Sequence, residues 1–259
     1  MDIKWTSITN EKEKRFLKTA VEYSNKSFAQ NREMYTDFYN SDWMKEIISR
    51  YMGSINRHNY IFIGGYDDAE RQILGFVCDE NHVYSNPVGA VKVIVKTGIG
   101  RSLSHRDFLG AILNLGIERA KIGDIIIKPF GAYIILDKEI GEFIKWNLTQ
   151  IGKYSNIEVE EIELADLEVE KPLVKEMQGT VPALRADTIF AIAFGISRTT
   201  ASKLLQNDKG RCNGIPVSSS SVLKEGDVGS LRGYGKMRLK SVNGTTKKDR
   251  MHITIEKYI

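Results

Sequence analysis

Apolar residues recur at helical spacing twice near the start of the chain. Phe16, Leu17, Ala20, Val21 and Tyr23 form one stripe, with Thr9 or Asn10 placed to cap it. Trp43, Met44, Ile47, Ile48 and Tyr51 form the second, with Ser41 as the candidate cap. From Tyr60 the period shortens. "YIFIGG" and "QILGFVC" flank the polar "YDDAER" and predict a hairpin. "VGAVKVIVK" (Val88–Lys96) is rich in β-branched residues and predicts a strand. "SLSHRDFLGAILNLGIERAKIGDI" follows, with Phe108, Leu109, Ile112 and Leu113 on one helical face and Gly116 as the stop. "DIIIKP" and "AYIILD" predict two strands joined at Phe130-Gly131. "KEIGEFIKWNLTQIG" predicts a helix through Ile140, Phe143, Ile144 and Leu148, and "IEVEEIEL" alternates as a half-buried strand.

Strand, helix, strand, strand, helix, strand is the split βαβ order of ferredoxin-like domains, which RNA-recognition domains also use. The charged "ADLEVEKPLVKEMQGTVP", with Pro172, Gly179 and Pro182, predicts a boundary. The expected class is α+β, in four parts. These are a helical N-terminal part with a hairpin (1–84), an RRM-like βαββαβ domain (85–168), a linker (169–181) and a small α+β module (182–259).

Charge sharpens that division. Residues 182–259 carry 14 Lys/Arg against 6 Asp/Glu, whereas the preceding 181 carry 23 against 27. A basic module on an acidic body points to a polyanionic partner. No apolar run reaches the roughly 18 residues that span a bilayer. The polar "MDIKWTSITNEKEKRF" has no apolar signal core, so a cytoplasmic protein is expected. Cys78 and Cys212 are far apart and read as reduced thiols.

His105-Arg106-Asp107 invites comparison with the H-R-D of protein kinases. A kinase also needs an Asn at a fixed distance and a D-F-G Asp for its metal. Here Asn114 lies too far on, and Pro129 stands before Phe130-Gly131. "GIGRS" offers only Gly98 and Gly100, and no phosphate-binding G-x-x-x-x-G-K-[ST] occurs. Ser104 and Asp107 fit a helix-capping box instead, which leaves His105 and Arg106 facing solvent as possible secondary RNA contacts. His58, His82, His105 and His252 have no metal-ligand spacing with one another or with the cysteines, and no G-x-S-x-G occurs. No catalytic residue, metal or cofactor is implied.

The basic module carries further motifs. Arg185-Ala186-Asp187 precedes an apolar helix face of Ile189, Ile192 and Ala193, with Asp187 as a helix cap. Ser197 caps "RTTASKLLQ", which buries Ala201, Leu204 and Leu205 and exposes Arg198 and Lys203. Asn213-Gly214 and Gly226-Asp227 predict tight turns, and "SLRGYGKMRLKSV" predicts basic strands. From Leu184 to Val242 this resembles the RNA-binding domain first recognised in the fourth protein of the small ribosomal subunit, the S-four domain. Two departures stand out: Ala186 where that family usually has Leu, and "NDKGRC" (Asn207–Cys212) where it has a shorter loop. The resemblance implies RNA contacts through Arg185, Ser197, Arg198, Thr199 and Lys203. It extends them to Arg211, Arg232, Lys236 and Arg238.

"GGYDDAER" (Gly64–Arg71), "LSHRDFLGAILNLGIERAKIGDI" (Leu103–Ile125) and the C-terminal module, in this order, resemble the YlmH family of bacterial proteins. That resemblance implies binding to the large ribosomal subunit, its ribosomal RNA and peptidyl-tRNA. It further implies a role in ribosome-associated quality control, where alanine tails are added to stalled nascent chains, with other quality-control factors as further partners. Two other classes stay open. Pseudouridine synthases also carry S-four domains, so an RNA-modifying enzyme is one. An adaptor that binds only proteins fits the acidic part but not the basic end.

Overall fold

In the computed structural model of the protein, which describes residues 3, 5–51, 59–77, 84–96, 103–245 and 250–259, Asn10 opens the first helix. Its Oδ1 accepts hydrogen bonds from the Lys12 and Glu13 N–H groups, two donors that a helix start leaves unpaired. The helix, α1 (Glu11–Gln30), buries Phe16, Leu17 and Ala20. A strand follows that the helical reading of this part passes over: β1 (Met34–Asn40), with Thr36 and Phe38 buried. Its alternation lasts only seven residues between two stronger helical patterns. Helix α2 (Ser41–Tyr51) buries Trp43, Met44, Ile47 and Ile48. Asn40 rather than Ser41 caps it, accepting from the Trp43 N–H at 3.0 Å. Strands β2 (Asn59–Ile63) and β3 (Arg71–Val77) form the expected hairpin, and β1 joins it to give an antiparallel sheet in the order β1-β3-β2. The N-terminal part is therefore a helix-and-sheet layer.

The βαββαβ order is present. It runs β4 (Val88–Val95), α3 (His105–Leu113), β5 (Ile122–Lys128), β6 (Gly131–Asp137), α4 (Gly141–Asn147) and β7 (Ile157–Ile162). The strands lie in the order β5-β6-β4-β7, all antiparallel, as a split βαβ requires. Gly131 at the β5–β6 turn has φ 147, and a Cβ there would come within 2.1 Å of the Val93 carbonyl, so only glycine fits. One face of the sheet packs Val91, Val93 and Ile134 against Phe108 and Ile112 of α3 and Ile144 of α4. The opposite face packs Val88, Ala90 and Ile135 against Phe38, Ile63 and Ile73 of the N-terminal layer.

Polar bonds tie the same two layers. Asp124 Oδ2 accepts from the Tyr66 hydroxyl and from the Glu70 N–H, both at 2.7 Å. Burial raises the Asp124 carboxyl above its ordinary value despite these donors. Arg71 donates to the carbonyls of Ile122 (2.9 Å), Phe38 (2.7 Å) and Arg119 (3.3 Å). "GGYDDAER" and "GIERAKIGDI" thus meet at one hydrogen-bonded joint. Residues Met1–Val169 form one compact unit.

Glu170–Ile259 form the other. The expected linker 169–181 is corrected here. Most of it is strand β8 (Val174–Val181), which pairs antiparallel with β13 (Met251–Tyr258) over eight residues. Its charge and glycine masked a strand whose partner lies far along the chain. Between them come α5 (Ala186–Phe194), α6 (Arg198–Gln206), β9 (Gly210–Cys212), β10 (Ile215–Pro216), β11 (Val228–Leu231) and β12 (Gly235–Thr245). The sheet order is β10-β9-β11-β12-β13-β8. Ile189, Phe190, Ala193, Ala201 and Leu205 of the helices pack with Leu231, Met237, Leu239, Ile253 and Ile255. Asn213 (φ 47) and Gly214 (φ 72) turn β9 into β10 in the left-handed conformations of a two-residue hairpin. Among the described residues no helix is long and apolar enough to cross a membrane.

Candidate nucleic-acid interface

Helix α5 begins against the serine-rich loop. The Ala186 N–H donates to the Ser221 carbonyl at 2.8 Å and the Asp187 N–H to the Ser219 carbonyl at 3.2 Å. Backbone carbonyls satisfy this helix start, so Asp187 is not its cap, contrary to the sequence reading. The Asp187 side chain is only 5% exposed. Arg185 donates to it through Nε (3.3 Å) and Nη2 (3.1 Å), Arg198 through Nε (3.1 Å) and Thr188 through its hydroxyl (3.1 Å). Burial alone would raise this carboxyl; the two guanidinium groups and the hydroxyl outweigh burial and hold it below its ordinary value. One buried carboxylate therefore fixes two arginines, one just before α5 and one opening α6. Arg198 remains 55% exposed, and its two Nη groups make no hydrogen bond among the described residues.

Ser197 caps α6 as expected, its Oγ accepting from the Thr200 N–H at 3.0 Å. Thr199 and Lys203 are exposed. The Asn207–Cys212 segment turns through Asp208 in a left-handed conformation (φ 53) and enters β9 at Gly210. The Lys209 carbonyl there accepts from the Arg232 N–H at 2.9 Å, which brings the β11–β12 turn to the end of α6.

The remaining cations lie on the sheet. Cys212, Gly229 and Met237 sit in one cross-strand row, with Met237 in the core, so the next row, Arg211, Ser230 and Lys236, faces away from the helices. Arg238 shares that outer face, in register with Val228 and Glu256. The nine expected residues thus fall into three groups: the α5–α6 starts with Lys203, the Arg232 turn, and the outer sheet face. Lys209 and Lys240 were not singled out from the sequence. The period-two run Lys236, Arg238, Lys240 was the available signal for Lys240, which is paired with Glu176 (3.1 Å) and Glu256 (2.9 Å).

In the other unit, Ser104 and Asp107 form the expected capping arrangement. The Ser104 N–H (2.8 Å) and hydroxyl (2.7 Å) both donate to Asp107 Oδ2. His105 and Arg106 are exposed in the first turn of α3. Partial burial and then the charge of Arg119 lower the His105 imidazole below its ordinary value. Arg106, Asp107, Gly110, Ala111 and Asn114 of the α3 side face Asn147, Thr149 and Gln150 across a hollow of about 490 Å³. Phe143 and Leu113 were expected inward but are 46% and 38% exposed, and Trp146 on the same helix as Phe143 is 70% exposed. Helix α4 is short, so Ile144 and the following Leu148 suffice to anchor it. On the opposite sheet face Tyr133 is 4% exposed and lies edge-on to the half-buried Phe130. Among the described residues no three His, Cys, Asp or Glu side chains are grouped to hold a metal ion. Cys78, His58, His82, Gly98 and Gly100 lie outside the described residues.

Residues 100–166 match the family model described as "Putative RNA-binding domain in YlmH". A solved structure, "Cell division protein ylmH from Streptococcus pneumoniae", is 20% identical and covers 62% of this chain and 96% of its own, with a TM-score of 0.49. Over 250 residues the chain is 31% identical to the "Ribosome-associated protein quality control protein P2" of Bacillus subtilis, covering 95% of both. With that identity along nearly its whole length, and the family's RNA-binding domain matched within it, the chain belongs to the YlmH family.

Proposed function

We propose that the protein is a ribosome-associated RNA-binding factor that acts by holding RNA rather than by changing a bond. The observation that carries this reading is the pair Arg185 and Arg198. Both are anchored on the buried Asp187 and present charge beside the start of α6. Preorganised guanidinium groups suit phosphate, which they grip with parallel hydrogen bonds. The name of the Bacillus subtilis relative supports ribosome association and a place in quality control. The C-terminal unit acts as an S-four domain in this reading. Its RNA is that of the large subunit together with peptidyl-tRNA, and alanine tailing of stalled chains is the process served. Arg185, Ser197, Arg198, Thr199 and Lys203 form the principal contact. Arg211, Arg232, Lys236 and Arg238 extend it across the β11–β12 turn and the outer sheet face.

Cosedimentation with purified large subunits carrying peptidyl-tRNA tests the partner. Salt-sensitive association at physiological ionic strength is expected; its absence contradicts the reading. Arg198→Ala tests the site. It should weaken binding and flatten the slope of log affinity against log salt by roughly one unit, one phosphate's worth of released counterions. An unchanged slope with a lowered melting temperature assigns Arg198 to the ion pair alone. Turnover of a uridine in the bound RNA would favour the RNA-modifying alternative.

A further inference from the structure

The hollow between α3 and α4 has no part in the reading above. It lies inside the segment that matches the family's RNA-binding model, yet on the helical side of the sheet. The other sheet side, where ferredoxin-like RNA binders stack bases on aromatics, is covered over part of its area and leaves only the half-buried Phe130 beside Lys92 uncovered among the described aromatics. Ala90 and Ile135 are packed under the N-terminal layer, and Tyr133 is buried.

Three observations make the helical side a receiving surface. Gly110 lines the hollow from the interior of α3. Glycine is the poorest ordinary residue for a helix interior, and a Cβ at Gly110 would meet nothing within 4 Å. Among the described residues no neighbour accounts for glycine there, and the open space leaves room for a flat ligand against the backbone. Around it Arg106, Asp107, Asn114, Asn147 and Gln150 make the lining mostly polar, with the Asp107 carboxylate held by Ser104, which suits a nucleotide better than an apolar peptide. Trp146, next to Asn147 in sequence, is 70% exposed, with Lys145 Nζ 5.6 Å from its ring centroid. A bare indole beside cationic groups is the stacking platform of single-strand binders.

We propose that this hollow receives an unpaired nucleotide of RNA, with Trp146 stacking on an adjacent base and Arg106 meeting a phosphate. The proposal rests on the RNA-binding reading and adds a second, single-stranded site to it. The base lies against the Gly110 backbone, where the side-chain oxygens of Asn114 and Asn147 are available to its edge.

The test uses the full-length protein and a short single-stranded oligoribonucleotide containing 4-thiouridine. After irradiation, cross-linked peptides are mapped by mass spectrometry, and the affinity of the same oligonucleotide is measured by fluorescence anisotropy. Cross-links are expected in the peptides that carry Gly110 or Trp146. Gly110→Ala and Trp146→Ala should each weaken binding by roughly fivefold or more. Gly110→Ala should melt no lower than the parent, which separates a blocked site from a damaged fold. Cross-links confined to residues 170–259 overturn the proposal and leave the RNA-binding reading intact. No cross-link anywhere overturns the proposal, and the RNA-binding reading then stands or falls on its own cosedimentation test. Unchanged affinity in both variants also overturns it and assigns the Phe143–Trp146 surface to a protein partner.

Discussion

The Asn213 carboxamide donates to the Asp227 carboxylate at 2.9 Å and accepts from the Val228 N–H at 2.9 Å. Two turns, Asn213-Gly214 and Gly226-Asp227, thereby lock each other. Asn213 also tolerates its left-handed conformation better than most side chains. Asn213→Ala should cost about 1–3 kcal/mol, because it strands the Val228 donor and an Asp227 acceptor. Asn213→Gly restores backbone freedom but not the bonds, so it should remain destabilised. Urea unfolding of both variants decides this; unchanged midpoints would contradict the lock.

The Asp187 carboxyl, held below its ordinary value, makes a signed prediction for pH. Its contribution to stability is complete above the unfolded-chain value of about 3.9. It is lost as pH falls through the lower folded value. Asp187→Asn should therefore be less stable than the parent at neutral pH, and the gap should close below about pH 4. Denaturation midpoints for the pair at several pH values measure it. A gap that stays constant down to pH 2 would mean that the carboxylate charge is not what binds the two arginines.

Asp107 receives two hydrogen bonds from Ser104 and nothing about its setting requires a proton transfer. Asp107→Asn should cost at most about 1 kcal/mol, and Asp107→Ala about 0.5–2 kcal/mol. Both should keep RNA binding. Loss of binding with an unchanged melting curve would assign the residue a ligand role.

Tyr66→Phe removes one of the two donors on Asp124 Oδ2, leaving the Glu70 N–H. A hydrogen bond to a charged group contributes about 1.5–3 kcal/mol. The variant should melt lower, and amide exchange should rise across β2, β3 and the start of β5, which this joint connects. Exchange confined to the hairpin tip would show that the apolar layer alone holds these strands.

Local pattern carried the elements whose partners are close in sequence. The split βαβ order, the Ser104–Asp107 arrangement, the Ser197 cap and the Asn213-Gly214 turn all follow from spacing over a few residues. What escaped depends on distant partners. Strand β8 reads as a linker because its pairing strand comes after both helices. β1 is a strand because β3 returns beside it. Asp187 was read as a cap because its second arginine comes from the next helix, at a separation that no cap motif describes. Trp146 was not singled out from the sequence, although its offset from Ile144 places it on the far side of the helix.

The closure of β8 on β13 also sets an order of events during vectorial synthesis. β8 emerges first from this unit, yet it has no edge to join until α5, α6 and four intervening strands have been made. Non-local pairing of this kind must meet loop-closure entropy before any contact repays it, so it comes late. The residues of the Arg185–Asp187–Arg198 arrangement are therefore all synthesised before β13, the strand on which β8 closes. The charged, glycine-containing sequence of β8 (VKEMQGTV) suits that wait, because a strand left unpaired on an open chain is safest when it is a poor template for another.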